Sequence, residues 1–143
     1  MGSVSEDPSV IRSVAISTED LVAALESAQR SGRDAVLRVT PPFSGRMRAR
    51  LHVEGADDYD DPEPVHIDPA TLVAASAPTY PTPAETEDAL RADPAVEYTR
   101  DRHHERHTEA VADWRASIPD HVVATATIDT SAGHHEIEVT LLG

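Results

Sequence analysis

Residues 46–54 read RMRARLHVE. Met47, Ala49, Leu51 and Val53 take every second position, and Arg46, Arg48, Arg50 and His52 fill the places between. A period of two sends successive side chains to opposite faces of an extended chain, so this run predicts a strand with one apolar and one cationic face. A strand needs partners for its backbone groups. The nearest candidate is DAVLRV (34–39), with TPPFSG (40–45) between, so the two are expected to pair as a hairpin across the Pro-Pro loop. HVVATATID (121–129) and HHEIEVTLL (134–142), joined through TSAG, predict a second hairpin. VIRSVAIS (10–17) predicts a short N-terminal strand.

The helical period appears elsewhere. In STEDLVAALESAQRSGR (17–33), Leu21, Ala24, Leu25 and Ala28 share a face. Ser17 or Thr18 can cap this helix, Glu19 and Asp20 suit its positive end, and Gly32 ends it. VHIDPATLVAAS (65–76) predicts a short strand, then a helix capped by Asp68 with Pro69 at its first position. A long helix is expected from about Ala84 to Ile118, with Pro94 as its one breaking point and Pro119 as its stop. The expected fold is one α+β domain over 10–143, after a disordered lead-in at 1–9. An antiparallel sheet of four to five strands, made of two hairpins plus the N-terminal strand, is covered on one face by helices, chiefly the long one. An acidic loop near 55–64 and a Pro-rich connection near 77–83 interrupt it; the acidic loop lacks the alternate ligand register of a calcium site.

Charge narrows the setting. Among 143 residues, 26 acids face 12 basic residues, all of them Arg, for a net charge of −14. The acids are spread along the chain, unlike those of an acidic DNA mimic. There is no Cys, which excludes disulfides and thiolate chemistry. This balance resembles that of the small acidic cytoplasmic proteins of extremely halophilic archaea, and VLRVTPPFSGRMRARLHVEG (36–55) resembles a small haloarchaeal family. That resemblance brings no activity with it; it implies molar salt, where the Debye length is roughly 3 Å and self-repulsion largely vanishes. The N-terminal residues carry no signal pattern, and no apolar run approaches the roughly 20 residues of a membrane span. A soluble, cytoplasmic protein without membrane contact is expected.

Two clusters are candidate sites. In RDRHHERHT (100–108), His103 and His107 are four residues apart. On a helical wheel Val96, Arg100, His103, His107, Val111, Trp114 and Ile118 form one narrow stripe, expected to face the sheet or its edge. Such a pair can ligate zinc or another divalent transition metal, given a third ligand such as His66, His121, His134 or His135. The alternative is a half-buried pair bonding backbone or carboxylate groups. Glu105 follows His103 by two places, which turns it away from the position a zinc hydrolase needs for its general base. Asp93, Glu97, Asp101, Glu105, Glu109 and Asp113 recur every fourth residue as an acidic ladder, which weakens a helix in dilute buffer and is tolerated in high salt.

The second cluster is Arg46, Arg48 and Arg50, with Arg38 on the paired strand and Phe43, the chain's one Phe, in the loop beside them. Arginine forks grip phosphate or carboxylate, and an exposed aromatic among them would suit single-stranded nucleic acid. The alternative is ion pairing with Glu136, Glu138 or acids of the long helix. No phosphate loop, dinucleotide turn or nucleophile elbow is present. The expected function is a non-catalytic intracellular interaction module of a halophile, contacting nucleic acid or a nucleic-acid-handling protein through the Arg-bearing hairpin. A metal-binding protein using His103 and His107, and a subunit of an oligomer, are the alternatives.

Overall fold

The computed structural model describes residues 5–30, 35–53 and 64–143. Along these residues run β1 (Ser13–Ser17), α1 (Thr18–Arg30), β2 (Ala35–Val39), β3 (Arg46–Arg48), β4 (Arg50–Val53), β5 (Val65–Ile67), α2 (Pro83–Ala92), α3 (Arg100–Ser117), β6 (Thr125–Thr130) and β7 (Gly133–Leu142). The class is α+β. The strands form two sheets, however: four strands in the order β3-β1-β7-β6 and three in the order β4-β2-β5. The larger sheet is mixed, because β1 runs parallel to both β3 and β7 while β6 and β7 form an antiparallel hairpin. The smaller sheet is antiparallel. This corrects the expected single antiparallel sheet. Alternation encodes which face of a strand is buried and carries nothing about its direction or neighbours.

The RMRARLHVE run lies where the two sheets meet. Its first half, β3, pairs with β1; its second half, β4, pairs with β2 from Ala35↔Val53 to Arg38↔Arg50. Ala49 sits between the halves, fully buried, and its N–H still donates to Ala15 O at 2.9 Å. The first hairpin thus forms over half its expected length. The second forms as expected, from Thr125↔Glu138 to Thr130↔Gly133. Its turn needs Gly133, whose φ of 105° disfavours any side chain.

One core joins the sheets. Val14, Ile16, Ala126, Ile128 and Ile137 come from the larger, and Ala35, Leu37, Val39, Val65 and Ile67 from the smaller. Leu21 and Ala24 of α1 complete it with Leu72, Trp114 and Ile118. Full burial of an aliphatic side chain contributes about 1.5–3 kcal/mol, so this set dominates the favourable side of folding.

The long helix is two helices. Thr82 Oγ1 accepts from Glu85 N at 3.2 Å and starts α2 with Pro83 in its first turn; Thr99 Oγ1 accepts from Arg102 N at 3.1 Å and restarts the chain as α3. Pro94 stands in the gap, as its missing N–H and fixed φ require. Nor is α3 the main cover of the sheet. It lies along α2, and only its C-terminal end enters the core through Trp114 and Ile118. The remainder of its stripe is too polar to cover a sheet, and α1 takes that place.

Smaller departures follow the same logic. The helix expected after Asp68 is a single 3-10 turn, Pro69–Leu72, with the Asp68 carboxylate accepting from Ala70 N at 3.0 Å. Ser5 and Phe43 exchange backbone bonds of 2.7 and 2.6 Å, so the lead-in is tied to the Pro-Pro loop from Ser5 onward. The Gly32 stop and nearly all of the acidic loop lie outside the described residues.

Candidate contact surface

Met47 and Ala49 turn inward, while Leu51 and Val53, on the edge strand β4, share the face of Leu37 and Ala35 and still stay 38% and 43% exposed. The arginines take the opposite side of both sheets. Arg46 lies in register with Ser13, Arg48 with Ala15 and Arg50 with Arg38. All three are exposed, and among the described residues none of them makes an ion pair. Pairing with Glu136, Glu138 or the acids of α3 is therefore not how these arginines are satisfied. Other arginines do pair: Arg115 grips Glu26 Oε1 and Oε2 at 2.8 Å, and Arg91 Nε lies 3.7 Å from Glu87 Oε2.

Arg38 is half-buried and sits between Arg50 and His66 in the register of the smaller sheet. It donates through NH1 to His52 Nδ1 at 3.3 Å, and the rings of His52 and His66 stack with centroids 5.6 Å apart. The outer face of this sheet thus groups Arg38, Arg50, His52 and His66. Alternation already placed His52 on the arginine face. The contribution of His66 depends on β5 pairing with β2, which its own short segment does not encode.

Phe43 does not belong to this surface. It is 1% exposed and packs in the core. Its apolar ring outcompetes the polar character of the loop around it, and the expected stacking platform beside the arginines is absent.

Among the described residues no element covers the outer face of the larger sheet. A groove of about 1180 Å³ opens at the end of the sheet where β1 begins, lined by Arg12, Ser13, Arg46, Glu136 and Glu138 among others. Arg12 Cδ lies near Gly45, next to the Arg46 side. Next to the groove-lining Ser9, Asp7 accepts from Ser9 N at 2.9 Å and Ser9 Oγ at 2.8 Å. The backbone bond, then the hydroxyl bond and nearby His135, hold the Asp7 carboxyl below its ordinary range.

His103 and His107 face α2 and not the sheet. His103 Nε2 lies 2.8 Å from Pro83 O, and His107 Nδ1 lies 3.0 Å from Thr86 Oγ1. Their rings stack at 6.2 Å. The expected third ligand does not reach them: His134 pairs with Asp129, His135 bonds Ile11 O, His66 stacks on His52, and His121 does not group with the pair among the described residues. Among the described residues no three His, Asp or Glu side chains are grouped to hold a metal ion. The pair acts as a polar clasp between two helices.

No helix among the described residues is long and apolar enough to cross a membrane. No curated protein and no solved structure matches the chain. One family model matches residues 1–143, and the chain accordingly belongs to the family described as a domain of unknown function, DUF8009.

Proposed function

We propose that this protein is a non-catalytic interaction module that holds nucleic acid by its phosphates on the outer side of Arg46–Val53. One observation carries the reading: Arg46, Arg48 and Arg50 are exposed and lack a carboxylate partner among the described residues, in a chain with 26 acids. Guanidinium forks bind phosphate oxygens bidentately, and Arg38 lies in register beside Arg50 on the same face. Phe43 lies in the core and supplies no stacking platform, so the contact is read as one to the backbone, indifferent to sequence.

The triple variant R46Q/R48Q/R50Q tests this, in pull-down from lysate at native salt and in anisotropy with labelled single strands. Each phosphate neutralised on a single strand contributes about 0.7 to the slope of log affinity against log salt, so the variant's slope should fall by about 2. A folded variant with the wild-type slope and partners would sink the proposal. Loss of a protein partner with nucleic acid unaffected would move the contact to an acidic protein surface.

We also propose that the module works in a salt-adapted cytoplasm. The ladder residues Glu97, Asp101, Glu105, Glu109 and Asp113 are all exposed, where counterions can screen them.

A further inference from the structure

We infer that the outer face of the larger sheet is a docking surface for a second copy of this chain. This rests on the Arg-bearing strand being a contact surface, and it names what meets the strand's first half. The pattern is self-complementary. Arg46, Ser13 and Glu138 share one register row, with β3 and β7 as the two immediate neighbours of β1. The row is outward-facing, because the alternate row of Met47, Val14 and Val139 points to the core. Arg46 therefore lies on one side of β1, and Glu136 and Glu138 on the other.

A two-fold axis along β1 carries the β3 column of one copy onto the β7 column of the other with no shift along the strands. Arg46 then meets Glu138 of the second copy, and the reciprocal pair forms at the same time, as a closed two-fold interface requires. The central column is short: Ser13, Ala15 and Ser17 leave room for two sheets to approach to the usual spacing of about 10 Å. The second copy is the one partner certain to present both signs in the matching order. Each copy carries −14, so association needs screening, while contact pairs sheltered in an interface are screened much less. The dimer is a high-salt species. It engages the Arg46 face, so in the dimer the phosphate contact falls to Arg50 on the smaller sheet, and the slope change of about 2 for the triple variant belongs to the monomer.

The test is light scattering and sedimentation of the full chain in molar KCl over a concentration series. Wild type is expected to dimerise. The single reversals R46E and E138R should each raise the dissociation constant roughly tenfold or more, since each converts two attractive pairs into repulsive ones. The double reversal R46E/E138R restores the pair with its sign exchanged and should restore the dimer. Melting curves of all four proteins separate loss of the interface from loss of the fold. A monomeric wild type overturns the dimer, as does a dimer indifferent to both single reversals. The phosphate contact is judged separately, by R50Q in the anisotropy assay. A monomer whose salt slope still falls with R50Q refutes only the dimer. A charge-swappable dimer with no nucleic-acid affinity refutes only the phosphate contact.

Discussion

Phe43 distinguishes two accounts of the Pro-Pro loop, and its replacement separates them by more than the error of a melting curve. The side chain is 1% exposed and among the largest fully buried groups in the protein. Phe43→Ala removes a ring from a core that closes only partly around the space, which costs about 3–5 kcal/mol. For a chain of this size each kcal/mol moves Tm by about 2–4 °C, so the expected fall is roughly 6–20 °C. Phe43→Leu keeps most of the volume and should cost under about 1.5 kcal/mol. Circular dichroism melts in molar KCl read both, and anisotropy with a single-stranded probe is run below the lower Tm. As a core residue, Phe43 yields a large loss for Ala, a small one for Leu and an unchanged affinity for the folded Leu variant. As an exposed stacking platform, it would leave Tm alone and weaken binding by about 1–3 kcal/mol per stacked base. An unshifted Tm in Phe43→Ala would refute the packing described here.

Two further predictions concern charge. Asp7 has its carboxyl held below the ordinary range in the folded state, so its contribution is complete above the unfolded-state value and is lost as pH falls through the lower folded value. The stability difference between wild type and Asp7→Asn, followed by denaturant melts from neutral to acid pH, should therefore shrink below about pH 4; a difference constant through that range would refute it. The salt-adaptation proposal predicts that Tm rises steeply from dilute buffer to molar KCl, because screening relieves both the −14 net charge and the i,i+4 acid repulsion along α3. Equal melting in the two buffers would remove it.

The histidine stretch shows where the wheel succeeds and stops. It correctly set His103 and His107 apart from the exposed His104 and Glu105, on the stripe that ends in Val111, Trp114 and Ile118. It could not say what faces that stripe. A helical period fixes angles around one axis, and the facing element here is α2, brought alongside by the break at Pro94 and the cap at Thr99.

What the chain determines by itself is local. Alternation in 46–54 and 134–142 specifies strands and their inner faces, and Thr82, Thr99, Pro83 and Gly133 place starts and turns, because these effects act within a few residues. The exposed arginine face was legible for the same reason. Partnership was decided only in three dimensions. One continuous alternating run gives β3 to one sheet and β4 to another across Ala49, and β1 enters between β3 and β7 as a parallel strand. The loop's one Phe goes inward, and the arginines find no carboxylate among the described residues. Each outcome depends on which distant segments share one core, a competition among burials that no short window of sequence encodes.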